Sequence, residues 1–131
     1  MKPIIAITFL LLAACSARDY GMSKENVELF KKIQIECAKS FNISDDLLRR
    51  SNTVNVPEFK EIGCFPHCAA QKLGIFEGND YNPDKIRNII LPEKRVMFEN
   101  VIKKCIVVRG DTACERAYDG YKCYANFAYK N

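Results

Sequence analysis

Cys64-Phe65-Pro66-His67-Cys68 is the densest group of reactive side chains in this 131-residue sequence, and it holds the only histidine. Two thiols and an imidazole at this spacing make part of a zinc site. A second Cys/His cluster of matching spacing, which would complete it, is missing. Triad chemistry needs a histidine free to shuttle a proton, and His67 stands directly beside a cysteine. A helical, disulfide-rich phospholipase would need a histidine–aspartate pair and a glycine-rich calcium loop, and neither is written in the chain. No catalysis, no metal and no cofactor are therefore expected. His67 could in principle sense pH, since an ordinary imidazole titrates near about 6.5. The expectation is instead an exposed helix residue.

The remaining reactive groups are thiols, seven in all. Cys15 follows Lys2 and the apolar run Ile4-Ile5-Ala6-Ile7-Thr8-Phe9-Leu10-Leu11-Leu12-Ala13-Ala14, and precedes Ser16 and Ala17. A basic start, a short apolar middle and a small-residue exit predict a secretory signal peptide over 1–17, with one domain over 18–131. The apolar run is far short of the roughly 20 residues a spanning helix needs. Leu12-Ala13-Ala14-Cys15 also fits a bacterial lipobox, in which Cys15 would be lipidated.

Formal charge is +4, with basic residues in pairs such as Lys31-Lys32, Arg49-Arg50, Lys94-Arg95 and Lys103-Lys104. Pairs read as solvated helix faces. A nucleic-acid module would gather them in one stripe, and a membrane-active defence protein would need a basic amphipathic block. Neither class is supported.

The elements that must position the cysteines read as helices. Val27, Phe30, Ile33, Cys37, Ala38 and Phe41 recur at helical spacing on one face. Ser44 and Asp111 are candidate N-caps, Pro57, Pro83 and Pro92 candidate first-turn residues, and Gly74, Gly78 and Gly110 candidate helix ends. These marks predict helices over about 24–41, 44–51, 57–73, 83–90, 92–108 and 111–127. No segment alternates with period two, so no strand is expected and the fold class is all-α. In the fifth helix Met97, Phe98, Val101, Ile102, Cys105 and Ile106 form an apolar arc wider than the ~100° stripe of a surface helix. Such a helix is central to a core or lines a cavity.

Cys37, Cys64, Cys68, Cys105, Cys114 and Cys123 are separated by 26, 3, 36, 8 and 8 residues. An even set in a secreted chain reads as disulfides. Cys64 and Cys68 share one helix face and should reach different neighbours; Cys114 and Cys123 point to opposite sides of theirs. A tight turn at Gly110 would bring Cys114 nearer than Cys123 to Cys105.

The five gaps together resemble those of the insect odorant-binding proteins, the six-cysteine pheromone- and general-odorant-binding family. The likeness spans the whole mature chain. It extends to Cys64-Phe65-Pro66-His67-Cys68-Ala69-Ala70-Gln71-Lys72-Leu73-Gly74 and to Ala113-Cys114-Glu115-Arg116-Ala117-Tyr118. It overrides the lipobox reading. The resemblance implies six helices around an apolar cavity and the pairs Cys37–Cys68, Cys64–Cys114 and Cys105–Cys123. Two departures stand out. Pro66 should kink or restart the third helix, and eight residues after Cys123 are too few for the extra C-terminal helix that fills the pocket in some moth carriers.

The resemblance also implies a function: a secreted, extracellular carrier of small hydrophobic molecules such as odorants or pheromones. A salivary, seminal or haemolymph binder of lipids or amines is the alternative. Its partners would be the hydrophobic ligand and a chemoreceptor, with no nucleic acid and no membrane span, as a monomer or weak homodimer. Ligand-binding candidates are Leu73, Ile75 and Phe76 after the third helix, Met97, Phe98, Val101 and Ile102 in the fifth, and Tyr118, Tyr121 and Phe127 in the last. Each could equally be plain core. The tyrosines qualify because a phenol offers a flat face and a hydrogen bond to an alcohol, aldehyde or ester oxygen. Asn42-Ile43-Ser44 is a glycosylation sequon, with Asn42 the acceptor.

Overall fold

The structure, a computed structural model, describes residues 20–130. The leader expected over 1–17, Cys15 and both ends of the expected domain lie outside the described residues. Seven α-helices are present among them: α1 Lys24–Ser40, α2 Asp45–Ser51, α3 Phe59–Ile62, α4 Phe65–Lys72, α5 Pro83–Ile89, α6 Arg95–Cys105 and α7 Ala113–Ala128. A small hairpin of β1 Phe76–Glu77 and β2 Asp80–Tyr81 joins α4 to α5. The fold is mostly helical and held by three disulfides, as expected; its local boundaries differ in instructive ways.

The helix starts are made by short polar side chains. Ser23 accepts from the Asn26 amide and Ser44 from the Leu47 amide, at 3.2 and 3.1 Å. The expected Asp111 cap is instead Thr112, which accepts from the Glu115 amide at 3.1 Å while donating to Glu115 Oε1 at 3.0 Å. This reciprocal bond satisfies an orphan donor that Asp111, one residue earlier, does not. Phe41 lies beyond the last turn of α1 and is exposed.

The single helix expected over 57–73 is two. Gly63 closes α3 at φ +50°, a conformation open to glycine, and the chain restarts as α4 with Pro66 in its first turn. Pro57 precedes the α3 cap residue, Glu58, and opens no helix. Its carbonyl instead accepts from Tyr118 Oη at 2.7 Å.

Strands, which the sequence pattern does not predict, are present. Phe76 pairs with Tyr81 and Glu77 with Asp80 around a turn at Gly78, φ +62°. Two residues per strand are too few to display a period. Gly78 thus turns a hairpin and ends no helix. The hairpin is tethered: Glu77 pairs with Lys85, and Arg116 of α7 bonds the Asn79 carbonyl at 2.7 Å and the Asp80 carboxylate. A separate bridge joins Met22 to Ile90.

The helix expected over 92–108 begins as a 3-10 turn, Pro92–Lys94, and stops at Cys105. Gly110 therefore sits in a loop, at φ +133°. That loop makes no tight turn. The Arg109 amide bonds Asp119 Oδ2 at 3.0 Å, so the chain runs back beside α7 before α7 begins. This path sets Cys105 against Cys123, with Cα atoms 5.5 Å apart, in place of Cys114. Cys37–Cys68 and Cys64–Cys114 complete the framework at 5.9 and 4.8 Å. Both cysteines that could have ligated zinc beside His67 are consumed.

α7 packs against α4 and α6, α1 against α4, and α5 against α6. The buried apolar residues fall into separate clusters: one around Ile33, Ile62, Phe65 and Ala69, one around Ala70, Phe76 and Ala117, one around Ala125, Ala128 and Tyr129. A domain of this size ordinarily has one contiguous core. Here a cavity stands among the helices.

Candidate functional site

The cavity has a volume of about 100 Å³. Its walls follow from helical spacing. α6 turns Phe98, Val101, Ile102 and Cys105 inward at i, i+3, i+4 and i+7, with Ile106 just beyond. α5 contributes Ile86 and Ile89, followed by Ile90, and α7 contributes Gly120, Tyr121 and Tyr124. α4 supplies Ala69 and Ala70, whose small side chains leave room, and Leu73 and Ile75 follow it. Phe30 of α1, Tyr81 of the hairpin and the leading residues Tyr20 and Met22 close the remainder. Among the described residues, no lining residue carries a charged, carboxamide, imidazole or aliphatic hydroxyl group.

The polar atoms near this space are phenols, and they are engaged with the protein. Tyr121 Oη donates to the Ser51 carbonyl at 2.5 Å and accepts from Gln34 Nε2 at 3.2 Å. Tyr81 Oη donates to the Ala117 carbonyl at 2.6 Å. Tyr124 Oη donates to the Tyr20 carbonyl at 3.4 Å. Burial pushes the Tyr81 and Tyr121 hydroxyls well above the ordinary phenol range, so both remain protonated donors. Among the described residues, no buried side-chain nitrogen or oxygen lacks a partner.

Two backbone positions make room for the aromatic wall. Gly120 lies under the Tyr81 ring, and a Cβ there would overlap ring carbons. Gly21, at φ +71°, lies against the Phe98 ring at a distance a Cβ could not tolerate.

Six cysteines in three bridges, helices around an apolar space and the matched sequence together decide the family: residues 20–126 match PBP/GOBP. The chain belongs to the PBP/GOBP family. This is a family of binding proteins, not enzymes. General odorant-binding protein 56a of Drosophila melanogaster is 23% identical over 132 residues, covering 95% of this chain and 91% of that protein. General odorant-binding protein 69a of the same species is 23% identical over 100 residues, 75% of this chain and 68% of that protein. Among solved structures, the medfly odorant-binding protein CcapOBP22/CcapOBP69a superimposes with a TM-score of 0.61 at 28% identity, over 72% of this chain and 84% of its own. Apis mellifera odorant binding protein 5 gives a TM-score of 0.68 at 23% identity, over 81% and 92% respectively, and speaks to the fold.

Within this PBP/GOBP chain, the residues singled out from sequence divide into two groups. Leu73, Ile75, Phe98, Val101, Ile102 and Tyr121 are brought together in the cavity wall. Phe76, Met97, Tyr118 and Phe127 are not part of that wall. Phe76 is fully buried behind it, with the His67 ring at 5.2 Å on one side and the Tyr81 ring at 4.9 Å on the other. His67 is accordingly half-buried and not exposed. Met97 and Phe127 are 44% and 39% exposed, and Tyr118 is spent on Pro57. Sequence reasoning misses Phe30, the α5 isoleucines, Tyr81, Gly120 and Tyr124. The isoleucines are legible, since Ile86, Ile89 and Ile90 repeat at i, i+3 and i+4. Asn42 sits exposed in the α1–α2 turn at φ +54°, with Ser44 occupied as the α2 cap.

Proposed function

We propose that this chain is a secreted carrier that takes a small hydrophobic molecule, of the odorant or pheromone kind, into the cavity among α1, α4, α5, α6 and α7. The observation that carries this reading is a cavity walled, among the described residues, by hydrocarbon and aromatic faces without a single charged side chain. Transfer of apolar ligand surface into such a space is favoured by roughly 25 cal/mol per Å² removed from water. The PBP/GOBP membership and the likeness to odorant-binding proteins support it. Release to a chemoreceptor, and a monomer or weak homodimer as the working form, belong to the same reading. So does removal of residues 1–17, and secretion would expose Asn42 to glycosylation.

The amine-binding alternative fits the cavity poorly. A buried ammonium without a carboxylate partner loses its hydration uncompensated, and no carboxylate lines the wall among the described residues. Displacement of N-phenyl-1-naphthylamine fluorescence from the oxidised protein tests the proposal. Binding of the probe, and its displacement by medium-chain apolar compounds, is expected. Failure to bind the probe or any such compound would sink it.

A further inference from the structure

We infer that the cavity selects ligands without hydrogen-bonding groups, unfunctionalised alkenes, terpene-like hydrocarbons and arenes, over the alcohols, aldehydes and carboxylates of the same skeleton. This inference rests on the carrier reading above and narrows it to a ligand class.

Each phenol in the wall has one proton. A carbonyl oxygen can only accept, so the proton between Tyr81 and Ala117 belongs to Tyr81, and that between Tyr121 and Ser51 belongs to Tyr121. Tyr124 directs its proton to the Tyr20 carbonyl. The Tyr20 ring meets the Tyr129 ring edge to face, with centroids 5.9 Å apart. Asn52 Nδ2 donates to the Leu48 carbonyl, so its Oδ1 is the acceptor of the Tyr129 proton at 2.8 Å. Tyr81, Tyr121 and Tyr124 have given their protons to the protein.

A carbonyl or carboxylate ligand could thus draw a hydrogen bond from Tyr81, Tyr121 or Tyr124 only by breaking an internal one. Tyr121 is further fixed by Gln34, which fills one of its lone pairs. An alcohol would surrender its hydration for, at most, a shared phenol oxygen. Burying an uncompensated polar group costs enough to lower affinity about five- to 150-fold. A hydrocarbon loses nothing of this kind, and its selection falls to shape.

The test is a displacement series on the oxidised protein with N-phenyl-1-naphthylamine as probe. The competitors are a medium-chain 1-alkene, the matching primary alcohol, the aldehyde and the carboxylate at neutral pH. The alkene should displace at the lowest free concentration, the alcohol and aldehyde about five- to 150-fold higher, and the carboxylate least well. An alcohol, aldehyde or carboxylate binding as tightly as the alkene would overturn the inference while leaving the carrier function standing. No probe binding at all would remove the carrier reading and this inference with it. Val101→Thr, nearly isosteric, places a hydroxyl in the wall. It should narrow the alkene-to-alcohol ratio several-fold, whereas an unchanged ratio would show that wall donors and acceptors do not set the preference.

Discussion

The Tyr81 ring occupies the space that a side chain on Gly120 would take, and its hydroxyl reaches over that glycine to the Ala117 carbonyl, 2.6 Å away. The hairpin and α7 are therefore fitted to one another through an absent methyl group. Gly120→Ala should raise intrinsic helix propensity by about 1 kcal/mol, yet overpacking against a ring that cannot retreat costs about 1–3 kcal/mol. A net loss of stability in urea melts is expected. In a Tyr81→Ala background the same substitution should cost nothing, so the double-mutant cycle reports strong coupling.

Tyr121→Phe keeps the ring but removes the oxygen between Gln34 and Ser51. The Gln34 amide and the Ser51 carbonyl then lose a buried partner. Destabilisation of about 1–3 kcal/mol is expected, measurable as a lowered thermal midpoint. Adding Gln34→Leu to Tyr121→Phe should recover part of it, because the orphaned amide is then gone.

The three bridges should differ in weight. Cys64–Cys114 closes a separation of 50 residues and Cys105–Cys123 one of 18. Each is worth about 2–4 kcal/mol, and loop entropy makes the longer one the stronger by about 1 kcal/mol. Paired serine variants, C64S/C114S against C105S/C123S, should follow that order in denaturant melts.

Acid should weaken the contact between α5 and α6. Arg87 holds Glu99 through hydrogen bonds of 2.8 and 3.1 Å, and this bonding lowers the Glu99 carboxyl below its usual range. A depressed folded pKa contributes stability that is full above the unfolded value, about 4.3, and disappears as pH falls through the folded value. Glu99→Gln should therefore melt earlier than the parent at neutral pH and together with it in stronger acid. A gap that persists below the folded pKa would contradict the assignment. Glu77, lowered chiefly by its hydrogen bond to Lys85, should behave alike.

Much of this is legible in the chain and some is not, for physical reasons. Phe98, Val101 and Ile102 declare themselves because a helix repeats its inward face every three or four residues. The cysteine gaps identify a framework, but which bridge Cys105 makes depends on the path of the 106–112 loop, and that path is set by a tertiary bond from Arg109 to Asp119. Tyr81 is invisible as a wall residue. It sits on a two-residue strand, and its position is fixed by Gly120, Arg116 and Phe76, of which the first two are remote in sequence. Met97 and Phe127 share the apolar character of their helices, yet lie at the margins of the faces that pack. Composition distinguishes apolar from polar, not wall from rim.

The cross-links also divide the walls into a stapled part and an unstapled one. Cys37–Cys68 ties α1 to α4, Cys64–Cys114 ties the start of α4 to α7, and Cys105–Cys123 ties α7 to α6. Four of the helices around the cavity thereby belong to one covalently linked frame. α5 carries no cysteine and buries no residue fully; it is held by the Arg87–Glu99 pair and by the strand-like bridge from Ile90 to Met22. One panel of the wall, hung between the hairpin and α6, thus carries no covalent fastening. For the carrier proposed above, cargo exchange should follow that panel's non-covalent fastenings, while the stapled frame sets the shape the cargo must fit.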